Sequence, residues 1–176
     1  MLEKFRPSLF VDRASSLQAD RMKSLGIRGL ILDIDNTIAQ SGRSRPEPWL
    51  QDWLAEIRQA GIQTSIVSNS GAKRSARFGE LLGMPAFARA GKPSVRRLLE
   101  AAACMGTPPE NTAVIGDQIF TDIWGANRAG MKSIRVKPVR PWREPVQVMF
   151  KRLLEWPLCL YFRSRGKTGG KGEDLY

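Results

Sequence analysis

The stretch Gly29-Leu30-Ile31-Leu32-Asp33-Ile34-Asp35-Asn36-Thr37 constrains this chain more than any other. An apolar run that ends in turn residues reads as a parallel strand buried on both faces. Open α/β folds place their chemistry just beyond the carboxyl ends of such strands. Asp33 and Asp35 are two positions apart and so share one side of the strand end. Like charges held that close are costly unless a cation lies between them or one carboxyl keeps its proton. Taken alone, the stretch also reads as a strand followed by an ordinary acidic turn, because Asp and Asn are common turn residues.

Composition removes several chemistries. The 176 residues contain no histidine, which excludes Ser-His-Asp and Cys-His catalysis and His-ligated zinc. Any catalysis must use Asp, Lys, Ser, Thr, Asn or a metal. Cys104 and Cys159 are far apart and lie among apolar neighbours, which fits buried thiols in a reducing compartment. The start, Met1 to Pro7, has no apolar h-region, and no stretch reaches the roughly 18 apolar residues of a spanning helix. A cytoplasmic protein, peripheral on a membrane, is the expectation. Net charge is +11, from 28 basic and 17 acidic residues, so the outer field favours polyanions: an anionic lipid surface or nucleic acid. The segment from Arg135 to Tyr176 holds ten basic and four acidic residues and supplies +6 of that charge.

Strand and helix signals alternate along the chain. After an apolar patch at Pro7–Val11 and a short helical pattern through Leu17, Met22 and Leu25, strands are expected at 30–32, 63–67, 85–90 (weakly), 113–115 and 133–136. Helices are expected at 49–59, 72–82, 94–105, with Ser94 as N-cap, and 122–129. The pattern predicts a Rossmann-like, doubly wound parallel sheet of about five strands with right-handed crossovers. The expected division is a catalytic domain over 1–137 with its N-terminal extension, and a basic amphipathic tail over 138–176. In that tail Pro138, Pro141 and Pro145 give turns. Val146, Met149, Phe150, Leu153 and Leu154 then fall at helical spacing, Pro157 interrupts, and a Gly-rich basic end that begins with Arg163, Arg165 and Lys167 reads as disordered.

Four loops at strand ends or helix starts carry polar signals in order: Asp33/Asp35/Thr37, Ser68/Asn69, Lys92 and Asp117/Asp122. Each alone is weak. Together, over residues 30 to 122, they resemble the haloacid dehalogenase-like (HAD) superfamily, with Asp-x-Asp-x-Thr, Ser-Asn, Lys-Pro and Gly-Asp-x-x-x-x-Asp. The resemblance implies a HAD-like fold and phosphoester hydrolysis through an aspartyl-phosphate. Asp33 is the implied nucleophile and Asp35 the acid and base. Thr37, Ser68, Asn69 and Lys92 are the implied phosphate-binding residues. Magnesium is the implied cofactor, held by Asp33, Asp117 and the Asp35 main-chain carbonyl, with Asp122 as an outer or alternate ligand. Superfamily dehalogenases lack the second Asp of the first motif, so Asp35 favours phosphoester chemistry.

The segments Thr37 to Ser68 and Ser70 to Lys92 are too short for an inserted cap domain, so the site is expected to be open and its substrate large or held by another surface. The nearest resemblance within the capless phosphatases is to the phosphatidylglycerophosphatase branch. It is carried by Gly26–Thr37, Val67–Ser70, Lys92-Pro93 and above all Gly116–Asn127, with Ile34 where leucine is common and a bulky Trp124. The implied substrate is a phosphorylated lipid headgroup, and the tail, with Trp156, Tyr161 and Phe162, resembles an interfacial element that would lie on an anionic membrane surface. The same tail residues could instead cover the end of the sheet. Two alternatives stand beside the lipid phosphatase: a HAD phosphatase acting on a nucleic-acid or protein phosphoester, and a non-catalytic basic binding module.

Overall fold

The computed structural model describes residues 2–139 and 146–166. Pro141, Pro145 and the basic end from Lys167 lie outside the described residues. The strands are β1 (Leu9–Val11), β2 (Gly29–Leu32), β3 (Gln63–Val67), β4 (Ala86–Phe87), β5 (Thr112–Gly116) and β6 (Lys132–Val136). They form one parallel sheet in the order β1-β6-β5-β2-β3-β4. The helices are α1 (Ala19–Ser24), α2 (Trp49–Gln59), α3 (Ala72–Leu82), α4 (Arg96–Cys104), α5 (Trp124–Arg128) and α6 (Val146–Gly166).

The central strand explains its own sequence. β2 pairs with β3 on one side and β5 on the other, with Gly29 opposite both Gln63 and Thr112. All four of its residues are buried, so a polar side chain would have no water on either face. Leu30 and Leu32 point into a core layer completed by Met22 of α1, Leu50, Leu54 and Ile57 of α2, and Phe78 and Leu82 of α3. Ile31, one position out of phase, points into the opposite layer with Leu98, Ala101 and Ala102 of α4 and Ala126 of α5. Each such side chain contributes roughly 1.5–3 kcal/mol by leaving water. Helices thus cover both faces, and every connection out of a strand end rises on one edge of the sheet.

The expected doubly wound sheet is present, with one strand more than the pattern predicts. β1 has three half-buried residues, and pairing defines it: Leu9, Phe10 and Val11 lie beside Ile134, Arg135 and Val136 on the otherwise open edge of β6. Ser8 N–H donates to the Ser133 carbonyl at 2.8 Å and starts that register. Several details differ from the sequence expectation, among them the thiols expected to be buried: Cys104, at the end of α4, is exposed and Cys159 is half-buried. Helix α4 begins at Arg96 with Val95 at its N-cap and no side-chain cap bond, so Ser94 does not cap it. The stretch predicted as one helix over 122–129 is a wide π turn over Ile119–Ile123 followed by α5. Helix α6 covers 21 residues, continuing past Pro157 to Gly166, so Arg163 and Arg165, expected in a disordered end, belong to its last turn. A proline removes one main-chain donor but does not oblige a helix to stop when packing holds the turns on both sides.

Candidate active site

Asp33 stands just past β2, its N–H donating to the Ile115 carbonyl of β5 at 3.0 Å. Its carboxylate accepts a hydrogen bond from Lys92 Nζ at 2.7 Å. The same ammonium reaches Asp122 Oδ1 at 2.6 Å and the Val67 carbonyl at the end of β3 at 2.9 Å. All three donor directions of Lys92 are therefore used, and the residue is buried. Its backbone is fixed from the neighbouring loop: Lys92 N–H donates to Asn69 Oδ1 at 2.8 Å, and Asn69 Nδ2 approaches the Lys92 carbonyl at 3.4 Å.

Asp33, Asp117 and Asp122 form a buried cluster in which one carboxylate oxygen from each lies within 4.8 Å of the others. Two backbone features allow this approach. A Cβ at Gly116 would fall 2.3 Å from Asp122 Cβ and Cγ, so only glycine lets the π turn fold Asp122 back onto the strand end. Asn36 adopts φ 57°, a left-handed turn that Asn tolerates better than most residues and that reverses the chain between Asp35 and Thr37. Thr37 Oγ1 then lies 3.5 Å from Asp117 Oδ1. Gln118 N–H donates to Asp122 Oδ2 at 3.1 Å.

Burial raises the Asp33 carboxyl from 3.8 to about 7, and the charges of Asp122 and Asp117 push the same way while the Lys92 ammonium opposes them. Burial alone would discharge Lys92, but Asp122 and Asp33 beside it keep it protonated above its usual range. Crowded carboxylates with one ammonium among them are a setting in which a divalent cation replaces repulsion by ligation. The donor set is all oxygen, which suits a hard ion such as magnesium. Asp33 and Asp117, with Asp122 beside them, would hold it.

Asp35 faces a different set. Its Oδ2 accepts from Ser70 Oγ at 2.5 Å and its Oδ1 pairs with Arg74 Nη2 at 2.9 Å. Arg74 also donates to the Arg43 carbonyl and stacks its guanidinium over Phe78, 5.1 Å from the ring centre. Ser68 is buried, and its hydroxyl accepts from Ser70 N–H at 3.2 Å.

All eight residues singled out from the sequence thus gather at the carboxyl edge of the sheet. Their immediate partners differ: Asn69 and Ser68 fix loops here, Lys92 bridges two acids, and Asp35 is held by Ser70 and Arg74. Four further residues enter the site with no role assigned from the sequence, although Ser70 lies within the Val67–Ser70 stretch. Ser70 and Arg74 hold Asp35. Arg152 of α6 pairs with Asp117 Oδ2, and Glu155 of α6 accepts the Phe120 N–H at 2.9 Å. A basic residue at the start of α3 and an acid inside an amphipathic helix were the available signals, and neither is specific.

A model of the HAD-hydrolase-like family matches residues 89–138, the part that carries Lys92, Asp117 and Asp122. The chain is 37% identical over 140 residues to the probable phosphatase YqeG of Bacillus subtilis, covering 79% of this chain and 81% of that protein. It is 32% identical over 143 residues to the chloroplastic phosphatidylglycerophosphate phosphatase 1 of Chlamydomonas reinhardtii, covering 76% of this chain and 53%, about half, of that longer protein. Among solved structures, a hypothetical protein of Xanthomonas campestris superposes with TM-score 0.51 at 16% identity over 75% of this chain and 76% of its own, which shows the shared fold. The chain belongs to the HAD-like hydrolase superfamily.

Proposed function

We propose that the protein is a magnesium-dependent phosphatase that removes the terminal phosphate of phosphatidylglycerophosphate through an aspartyl-phosphate on Asp33. The observation that carries the chemistry is the buried Lys92 bridge between Asp33 and Asp122, with Asp117 completing the acidic cluster. Lys92 aims the Asp33 oxygen and supplies positive charge where the phosphoryl oxygens gather. Asp33 attacks phosphorus in line and the ester oxygen leaves. Asp35, released from Ser70 or Arg74, gives that oxygen its proton and then takes one from the water that attacks the aspartyl-phosphate. Asn69 keeps Lys92 in place, and Thr37 keeps Asp117 turned towards the cluster. The bound magnesium would neutralise phosphoryl charge during transfer.

Two observations support a lipid substrate. One is the phosphatidylglycerophosphate phosphatase relative at 32% identity. The other is α6, whose Met149, Leu153, Leu154, Trp156, Leu160 and Tyr161 are exposed while Glu155 and Phe162 are buried. No helix among the described residues is long and apolar enough to cross a membrane. An exposed apolar stripe on a chain of net charge +11 fits an element of the tail that lies on an anionic bilayer. The proposal is tested by phosphate release, with and without magnesium, from vesicle-held phosphatidylglycerophosphate, a 5′-nucleotide and a phosphopeptide. Magnesium-dependent release from the lipid in clear preference to the others is expected. Equal release from the nucleotide or the peptide would overturn the substrate assignment.

A further inference from the structure

Among the described residues, the carboxylates of Asp33, Asp117 and Asp122 meet the ammonium of Lys92 and a cation that belongs to none of the four motifs, Arg152. Its side chain is 16% exposed, and it pairs with Oδ2 of the fully buried Asp117. The pairing is not the chance reach of a long side chain from a loose helix. One turn along α6, Glu155 is buried and takes the Phe120 N–H at 2.9 Å, in the π turn that carries Asp122. Burial raises the Glu155 carboxyl, an expense that the Phe120 N–H and the nearby Arg135 and Arg152 charges partly offset. Helix α6 is therefore seated on the loop that carries the acidic cluster, with Met149, Leu153, Trp156 and Leu160 turned out and Arg152, Glu155 and Phe162 turned in.

We propose that Arg152 is a phosphoryl-binding residue of the active site, delivered to the acidic cluster by α6. A ligand oxygen of Asp117 lies within 4.8 Å of one on Asp33, so a guanidinium resting on Asp117 is a side-chain swing from a phosphoryl group attached to, or approaching, Asp33. The guanidinium fork presents five donors and matches both carboxylate and phosphate oxygens. A divalent ion and Arg152 are both attracted to Asp117. An ion that takes Asp117 loosens the Arg152 pair just as a phosphate ester brings new negative charge, so Arg152 passes from the carboxylate to the phosphoryl oxygens. Lys92 supplies its charge from a fixed place, held by Asp33, Asp122 and the Val67 carbonyl, so the cation that moves onto the phosphoryl oxygens is Arg152.

The inference rests on the reading of Asp33 as a phosphoryl-transfer site, and two direct binding measurements on the full chain test it. Mn²⁺ affinity of the ligand-free protein is read by electron paramagnetic resonance, and affinity for inorganic phosphate of the Mn²⁺-loaded protein by calorimetry. Arg152→Gln is expected to bind Mn²⁺ more tightly, because a competing cation is gone, and inorganic phosphate about tenfold more weakly, because a charged hydrogen-bond donor is gone. Arg152→Lys keeps the charge without the fork and should fall between. This opposite movement is what a merely structural residue does not produce. Unchanged phosphate affinity in Arg152→Gln would overturn the proposal, as would equal weakening of both ligands in the Gln and Lys variants, which would mean that Arg152 only seats the helix. Should Arg152→Gln fail to fold, the Lys variant decides, since near-native phosphate affinity there would remove the case for the fork. Failure of the Asp33 reading itself would show separately, as phosphate turnover that survives Asp33→Asn.

Discussion

Replacing Lys92 by methionine keeps the volume and removes the ammonium. In the folded protein this deletes hydrogen bonds to Asp33 at 2.7 Å, Asp122 at 2.6 Å and the Val67 carbonyl at 2.9 Å, all in buried surroundings. Breaking a buried pair from one side typically costs about 3–5 kcal/mol, because the remaining charge is left without a partner. Here two carboxylates lose the same partner. For a domain of this size about 1 kcal/mol moves the midpoint by roughly 2–4 °C, so the metal-free variant should melt roughly 10 °C or more below the parent at pH 8. The loss depends on pH in a defined direction. Below about pH 7 the native Asp33 carboxyl is largely protonated, so fewer charges are stranded and the gap between variant and parent should narrow towards pH 5. Magnesium should also narrow it, because a ligand that binds only the folded state stabilises it by mass action. Thermal melts of parent and variant at pH 5 and pH 8, with and without magnesium, provide the check. A variant within about 1 kcal/mol of the parent at pH 8 without metal would refute the claim that Lys92 neutralises the cluster.

Asp33→Asn should stabilise the metal-free fold. A raised carboxyl lowers stability as pH rises from the unfolded value of 3.8 to the folded value of about 7, so the gain should grow across that interval and level off above it in denaturant titrations. Gly116→Ala places a methyl group 2.3 Å from Asp122 Cβ and should displace the π turn; a divalent-ion affinity within twofold of the parent would show that this close approach is dispensable. Replacing Leu153 and Trp156, which are 66% and 63% exposed, by serine should leave hydrolysis of a short soluble phosphoester intact and weaken flotation with anionic vesicles several-fold; equal flotation would remove α6 from the membrane surface.

Much of the fold was legible because β2 and β5 are buried on both faces, which leaves apolar runs in the sequence, while β3 and β6 show β-branched and apolar residues that end at turn or proline signals. Strand β1 left no such mark: three half-buried residues become a strand only because the edge of β6 is open beside them. The four motif loops were legible because the residues at each strand end are polar where packing alone asks for apolar ones. The partners that complete the site were not. Arg74 meets Asp35 across 39 positions and Arg152 meets Asp117 across 35, so their pairing is a product of the sheet order and of the seating of α6. Helix α6 itself was only half legible. Its apolar spacing announced an amphipathic helix, but Glu155 and Arg152, the residues turned towards the protein, look in sequence like members of a solvated polar face.

The measurement that bears most directly on the account is acid-quench trapping of the protein during turnover of a phosphomonoester, followed by peptide mass spectrometry. The peptide that contains Asp33 should gain one phosphoryl group, labile at alkaline pH and absent from Asp33→Asn, which should also release no inorganic phosphate above background. Phosphate release at near-parental rate from Asp33→Asn, or a phosphoryl group trapped on any residue other than Asp33, would contradict it.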